Sequence, residues 1–249
     1  MKRLGLVLVV VAAVAVLDPG LPRVGSVEVA LDFLAAALQP TLLSGAGESL
    51  LPVVTDALVA TVAFAACAMS VAVAFGGLLG ALSSTRVMGR AAWPFRLLAS
   101  GLRSVHELVW AMLLLAALGL SNSVAVLALA LPATGVLAKV FSELFEEAPS
   151  GAERALVDAG AGRFQALALG VFPRAAPDLG AYAFYRFECA LRSAAVLGFF
   201  GFPTLGLRIQ QSADNLLFGE VWLYLYALIG LVAATELWSA VLRRRLRVR

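Results

Sequence analysis

The feature that most constrains this chain is a series of long apolar segments separated by polar ones. The segments cover residues 4–17, 51–82, 105–120, 124–141, 179–200 and 221–242. A helix needs about 20 apolar residues to cross the hydrocarbon layer of a bilayer. The runs are continuous, unlike the short alternating segments of an outer-membrane barrel. We therefore expect an all-α membrane protein with about six transmembrane helices.

Composition supports this class and argues against a soluble domain. Hydrophobic residues make up 61% of the chain, charged residues only 14%, and the mean hydropathy is +0.93. A soluble domain has about 25% charged residues. The first segment, residues 4–17, is short enough to be either a retained helix or a signal-peptide core. Both alternatives place residue 18 outside the cytoplasm, so the topology beyond it does not depend on the choice.

Basic residues orient the chain across the membrane. One set of alternate loops holds 14 of the 19 lysines and arginines, and the other set holds only Arg23 and Arg208. Loops rich in basic residues stay in the cytoplasm. The bias predicts that both termini and residues 142–178 are cytoplasmic. We expect residues 1–50 to form an N-terminal anchor with an external amphipathic helix over 27–38, and residues 51–249 to form the transmembrane core.

The cytoplasmic loop contains the pattern of two short helices around a turn. Gly160 and Gly162 bracket a place where the backbone can turn with positive φ. After the turn, Phe164, Leu167 and Val171 recur at i, i+3 and i+7 on one helical face. The sequence thus predicts an apolar face with no evident partner in its own chain. The alternative is an ordinary amphipathic loop resting on lipid.

Pro173 follows this apolar face, and we expect it to end the second short helix.

The segment "YRFECALRSAAVLGFF" places Arg186, Glu188 and Arg192 within an apolar span. A charge near the bilayer centre costs at least about 2.5 kcal/mol, so such residues face protein or water. Glu188 and Arg192 are four residues apart, in the favourable order for an ion pair. One interpretation is therefore a structural ion pair, with Arg186 reaching toward the cytoplasmic surface. The other is that at least one arginine faces a water-filled path for an anion.

Other reactive residues do not form a catalytic or metal-binding pattern. Cys67 and Cys189 lie in apolar runs and are expected to be inert thiols. His106 and Glu107 lack the second histidine of a zinc protease motif, so we predict no metal site and no catalytic residue. No Gly-Lys-Ser/Thr phosphate-binding loop occurs. Any ATP-driven activity would therefore require an ATPase on another chain, and the C-terminal basic run fits a lipid surface better than nucleic acid.

The cytoplasmic loop resembles that of ABC-importer permeases. The family pattern is Glu-Ala-Ala, three residues, Gly, nine residues, then Ile-x-Leu-Pro, and Ala155, Gly160 and Pro173 fall at the matching spacing. Some side chains differ from the pattern: Phe172 stands where Leu is usual, Arg154 stands where the first Glu is usual, and Gly170 replaces the Ile.

Two further stretches resemble the permease subunit of phosphonate ABC importers. They are "LRSVHELVWAMLLL", from Leu102, and "YRFECALRSAAVLGFFG", from Tyr185. His106 stands where this family often has proline, and the residues after Gly201 lack the expected glycine-rich stretch. The resemblance extends from about residue 50 to the C-terminus. It leaves phosphonate, phosphite and other small oxyanions open as substrates.

The resemblance implies a fold, partners and site residues. The fold would be that of type I importer permeases in the bacterial inner (cytoplasmic) membrane. The partners would be a second permease copy, two cytoplasmic ATPase subunits that bind ATP, and a periplasmic or surface substrate-binding protein. This chain itself would bind no cofactor and no nucleic acid. The residues implied in coupling to the ATPase are Ala155, Gly160, Gly162, Phe164, Leu167 and Pro173, and those implied in the substrate path are Glu107, Arg186, Glu188, Arg192 and Ser193.

Two other functions remain open on the sequence alone. One is a secondary transporter in which Glu107 or Glu188 carries a proton. The other is a membrane assembly protein without transport activity. The absence of an evident inverted repeat argues against the first of these.

Overall fold

The computed structural model describes residues 24–43 and 47–247, and this part of the chain is almost entirely helical. A single isolated bridge between Leu43 and Ser49 is the one extended pairing within these residues. The α-helices are α1 Val24–Ala36, α2 Leu51–Ser83, α3 Thr85–Met88, α4 Trp93–Ser104, α5 Glu107–Leu118, α6 Asn122–Glu147, α7 Gly151–Asp158, α8 Arg163–Ala166, α9 Phe172–Val196, α10 Leu205–Asp214 and α11 Phe218–Arg247. Gly89–Ala92 and Leu197–Phe200 form 3₁₀ turns, and Leu167–Val171 forms a π turn.

Among the described residues, three helices are long and apolar enough to span a membrane alone, and two bent helix pairs bring the number to five if each pair forms one span. Three are the single helices α2, α6 and the first part of α11, over Phe218–Ser239. The other two are bent pairs, Thr85–Ser104 with Glu107–Leu118 at 88°, and Arg163–Phe200 with Leu205–Asp214 at 44°. These five coincide with five of the six predicted spans, whereas the predicted span over 4–17 lies outside the described residues.

The prediction of a straight span over 105–120 is wrong. Helix α5 has 12 residues, which at 1.5 Å per residue is about 18 Å, too short to cross alone. The remaining length comes from α4, which turns through 88° into α5. The side chain of His106 caps α5, with Nδ1 accepting a hydrogen bond from the Leu108 amide at 3.2 Å. The bend therefore places the charged N-terminus of α5, with Glu107, inside the span rather than at its end.

Close contact between α2 and α6 forms the centre of the fold. A Cβ atom at Gly76 would lie 2.8 Å from Leu137 Cβ, and one at Gly80 would lie 3.0 Å from Phe141 Cβ. Glycine at these two positions therefore lets the helices approach closely. At Gly77, by contrast, a Cβ would meet nothing within 4 Å.

Helix α6 also touches α4, again through a glycine. A Cβ at Gly135 would lie 2.6 Å from the Ala99 carbonyl oxygen and 2.8 Å from the Arg103 amide nitrogen. Glycine therefore permits the two backbones to meet at this crossing. Because α4 is held against α6 here, the bend between α4 and α5 is fixed at the centre of the helix bundle.

Residues 201–219 were predicted to be a loop, but they contain helix α10. The end of α9 and the start of α10 meet at two glycines, since a Cβ at Gly198 would lie 2.0 Å from the Leu207 amide nitrogen and one at Gly206 2.0 Å from the Ala195 carbonyl oxygen. The Leu205 amide donates to Thr61 Oγ1 on α2 at 3.1 Å. These contacts hold α10 inside the fold.

A helix is present where the sequence predicts one over 27–38, as α1 with bounds Val24–Ala36. It packs on the first turns of α11, where Trp222 Nε1 donates to the Phe33 carbonyl at 2.6 Å and the Tyr226 hydroxyl donates to the Ala37 carbonyl at 2.7 Å. The Phe33 and Trp222 rings lie 5.1 Å apart. This aromatic contact joins the N-terminal segment to the last span.

Candidate coupling surface and transport path

The segment between α6 and α9 forms the predicted pair of short helices around a turn. Helix α7 ends at Asp158, and Gly160 follows with φ of +93°, so the prediction of positive φ is confirmed there. It is wrong for Gly162, which has φ of −66° and precedes α8 as its N-cap. Gln165 Oε1 accepts the Gly162 amide at 3.1 Å, which satisfies one free donor at the helix start.

Arg86, from the short helix α3, holds α7 against the rest of the chain. Its Nη1 lies 2.5 Å from Glu153 Oε2, and its Nη2 donates to the carbonyls of Ala148 at 2.5 Å and Glu146 at 2.7 Å. Both side chains of the ion pair are about 15% exposed, so water screens the pair poorly. One guanidinium thus fixes both the end of α6 and the first turn of α7.

Gly170, where the permease pattern has Ile, lies at the closest approach of α7 to the π turn. A Cβ at this position would lie 3.0 Å from the Glu153 amide nitrogen and 3.1 Å from its Cα. A larger side chain would push α7 outward. Glycine at this position, where the family pattern has Ile, therefore lets the backbone of α7 lie close to the π turn.

The predicted apolar face of the second short helix divides between the core and the surface. Leu167 and Val171 are 3% and 0% exposed and belong to the main hydrophobic core. The expectation that this face has no partner in its own chain is therefore wrong for these two residues, because the π turn directs them inward. Phe164 is 53% exposed. An apolar groove of about 620 Å³ runs beside it, toward α2 and α6.

Exposed apolar side chains surround Phe164 on the outer side of the same segment. They are Val157 on α7, Leu169 in the π turn and Phe172 at the start of α9. Together with Phe164 they form what we call the coupling surface. Ala155 is also exposed, on α7.

Pro173 begins a helix rather than ending one. It lies in the first turn of α9, directly after the π turn. The π turn over Leu167–Val171 joins α8 to α9, so that one continuous helix runs from Arg163 to Phe200. As a result, the predicted loop over 142–178 is mostly helical, and α6 extends into it as far as Glu147.

The polar residues of α9 lie on two different faces. Arg186 and Ser193 are seven residues apart and thus within about 20° of each other around the helix axis. Glu188 lies about 160° and Arg192 about 120° around the helix axis from Arg186, so neither shares its face. The structure therefore divides the predicted path residues into two pairs.

The face with Ser193 meets the start of α5. The Ser193 hydroxyl donates a hydrogen bond to Glu107 Oε1, which joins the two bent spans at the break between α4 and α5. One or two turns away, the Nε atom of Arg186 is buried without a hydrogen-bond partner. This face thus combines a carboxylate, a hydroxyl and an arginine with an unsatisfied donor.

The other face of α9 serves the packing of the fold. Arg192 places Nη1 3.5 Å from Glu236 Oε1 on α11, and both side chains are about half exposed. Glu188 is 7% exposed and contacts the interior of the fold. The sequence predicts an ion pair of Arg192 with Glu188, whereas the ion pair that the structure shows for Arg192 is with Glu236 on another helix.

Sequence reasoning missed the residues that position the coupling surface. Arg86 and Glu153 are 67 positions apart, and no local pattern indicates that they pair. Glu236 lies in an apolar run and has no motif around it. Within the described residues, no group of three or more His, Cys, Asp or Glu side chains is placed to hold a metal ion, and Cys67 and Cys189 are free thiols.

The fold and the coupling segment define a membrane-embedded transport subunit. Residues 72–248 match the family described as "Binding-protein-dependent transport system inner membrane component", and the chain belongs to this family. It is thus the inner-membrane permease component of an ABC importer and works with a separate ATPase.

Two curated relatives and one solved structure are similar to the chain. The phosphite transport system permease protein PtxC of Stutzerimonas stutzeri is 32% identical over 233 residues, which is 92% of this chain and 79% of PtxC. The putative phosphite transport system permease protein HtxE of the same organism is 34% identical over 58% of this chain and 56% of HtxE. A chain of the MetNI methionine ABC transporter in an inward-facing form has the same fold, with a TM-score of 0.69 at 16% identity, covering 79% of this chain and 97% of that one.

Proposed function

We propose that this chain is the permease of an ATP-driven importer for a small phosphorus oxyanion such as phosphite or a phosphonate. The observation that carries the proposal is the similarity to PtxC over 92% of the chain. HtxE and HtxC are further relatives with phosphite transport in their names, and a phosphonate permease of Escherichia coli is 31% identical over 47% of the chain. The substrate class named by these relatives is the one we assign to this chain.

The proposed topology has both termini and the coupling surface in the cytoplasm. Contacts between loops support it, because segments assigned by charge to one side lie together. On the external side, the Thr41 amide donates to the Gly219 carbonyl at 3.2 Å, and Gly201 lies beside Leu120. On the cytoplasmic side, Arg86 contacts the Ala148 carbonyl. Residues 1–50 would form the external and anchoring part and residues 51–249 the transmembrane core.

The proposed docking site for the ATPase is the coupling surface. Four apolar side chains exposed on a short helical segment would enter a cleft of the partner, with Gly160 setting the turn between α7 and α8. The Arg86–Glu153 ion pair would transmit force from α7 to the transmembrane helices, because it joins α7 to the ends of α2 and α6. The assembly would contain two copies of this chain, two ATPase subunits that bind ATP, and a binding protein that delivers the oxyanion.

The proposed substrate path follows the α9 face that carries Arg186 and Ser193. A guanidinium with an unsatisfied donor suits an oxyanion because it forms charge-assisted hydrogen bonds. The bond from Ser193 to Glu107 would close the path between the two bent spans, and the carboxylate would repel anions while that bond is in place. Glu188 and Arg192 would maintain the helix packing.

The test of coupling compares Phe164→Asp with Phe164→Leu, which keeps the apolar surface. Burying an unpaired carboxylate costs several kcal/mol, so we expect Phe164→Asp to insert normally yet to lose co-purification with the ATPase and ATP-dependent uptake. Phe164→Leu should retain both. If Phe164→Asp bound the ATPase and supported uptake like the unaltered chain, the docking site would be wrong. If uptake persisted with the ATPase gene deleted, a secondary transporter would replace the proposed importer.

A further inference from the structure

A polar cleft lies between α4 and α6, near the end of α2. Its volume is about 310 Å³, and three cations and two carboxylates line it. The surrounding surface of α4 is apolar, with Trp93 66% and Leu98 55% exposed. Charged side chains are therefore concentrated in a cleft that is bordered by apolar surface.

Both carboxylates of the cleft already have cationic partners. Glu143 pairs with Lys139 one turn before it on α6. Glu146 Oε1 lies 2.6 Å from Arg96 Nη2 and also accepts the Thr85 amide at 2.9 Å. The pairs balance two of the three cations and leave an excess of one positive charge.

Arg103 carries that excess charge. No carboxylate lies within 4.0 Å of it among the residues that the structure describes. Ser83 supplies a second unsatisfied group at the other end of the cleft, because it is 1% exposed and its hydroxyl has no hydrogen-bond partner. A buried hydroxyl without a partner costs about 1–3 kcal/mol, so a polar ligand atom would stabilise the cleft.

We infer that this cleft binds a phosphate-type oxyanion at Arg103. A guanidinium engages two oxygens of such a group at once, and Lys139, one turn from the Gly135 contact with Arg103, adds positive potential. Arg96 and Arg103 are two turns apart, which is about 10 Å, so the ligand can extend from Arg103 toward Ser83. The inference rests on the charges of the cleft itself and does not require the proposed transport function.

Two sources supply this chemistry, a free anion and a phospholipid headgroup. The test uses the purified full chain with inorganic phosphate in neutral detergent, and separately in nanodiscs of phosphatidylglycerol or phosphatidylcholine. Equilibrium dialysis measures phosphate binding, and native mass spectrometry counts retained lipid. The variants are Arg103→Gln, Ser83→Ala and, as the matched control, Arg90→Gln. Arg90 is exposed, lies outside the cleft and changes the net charge equally.

Loss of one charge-assisted hydrogen bond weakens binding about tenfold or more. Saturable phosphate binding that Arg103→Gln weakens by that factor, and Arg90→Gln does not, would establish a free-anion site. Selective retention of phosphatidylglycerol, lowered by Arg103→Gln and by Ser83→Ala, would identify a headgroup site. Among the described residues the Arg103 side chain donates no hydrogen bond, so we expect its replacement to leave the fold intact. The inference is overturned if neither anion binds, or if Arg103→Gln binds as tightly as Arg90→Gln.

Discussion

Replacing Gly170 by alanine tests how tightly the coupling surface is positioned. The added Cβ would lie 3.0 Å from the Glu153 amide nitrogen and 3.1 Å from its Cα. Both are backbone atoms, so α7 itself must move by a few tenths of an ångström. Overpacking of this kind costs about 1–3 kcal/mol. The Arg86–Glu153 ion pair resists the shift, because Glu153 is the residue that the new methyl group would displace.

Gly180→Ala is the matched control for this substitution. Gly180 lies within α9, and a Cβ there would meet nothing within 4 Å. Alanine stabilises a helix interior by about 1 kcal/mol relative to glycine, so this variant should be as stable as the unaltered chain or slightly more stable.

Amide hydrogen exchange of the purified protein measures both effects. We expect Gly170→Ala to accelerate exchange of the α7 amides by about 5- to 150-fold, the range that corresponds to about 1–3 kcal/mol in local opening. The amides of α2 and α6 should be unchanged. Unaltered exchange in α7, or the same change in Gly180→Ala, would refute the argument that Gly170 sets the α7 packing.

Four further substitutions test the path and the turn. Arg186→Gln should lower oxyanion uptake at least tenfold. Arg192→Gln should reduce uptake less and mainly lower thermal stability in detergent. A larger loss of uptake in Arg192→Gln than in Arg186→Gln would reassign the two α9 faces. Ser193→Ala removes the hydrogen bond to Glu107 and should raise basal ATP hydrolysis without substrate if that bond closes the path; unchanged basal hydrolysis would contradict the closure. Gly160→Val should destabilise the turn by about 1–3 kcal/mol because its φ is +93°, and wild-type exchange at the α7 end would show that the turn tolerates a side chain.

The sequence predicted those features that depend on one helix or one residue. Apolar length located five spans among the described residues. Gly160, which follows α7, indicated a positive φ, and the structure has it there. Each of these signals is local, since it depends on the transfer free energy of a segment or on the steric limits of one residue.

The features that the sequence did not predict depend on contacts between distant segments. The bend of α4 into α5 is fixed by the contact of Gly135 with Ala99. Hydropathy averaged along the sequence reports only the combined apolar length of the two helices, so it does not reveal this bend. Helix α10 is likewise held by the Thr61 hydroxyl on α2. Pro173 was read as a helix terminator because proline usually ends a helix, yet the preceding π turn places it in the first turn of the next one.

ATP-driven uptake by the reconstituted importer tests the central claim most directly. The chain is inserted into vesicles with its ATPase and binding-protein partners. Uptake of phosphite and of methylphosphonate is then measured with ATP supplied on the coupling-surface side. We predict uptake of at least one of these oxyanions that requires ATP, the ATPase and the binding protein together. Uptake driven by a proton gradient without the ATPase, or no uptake of either oxyanion by an assembled complex that hydrolyses ATP, would contradict the account.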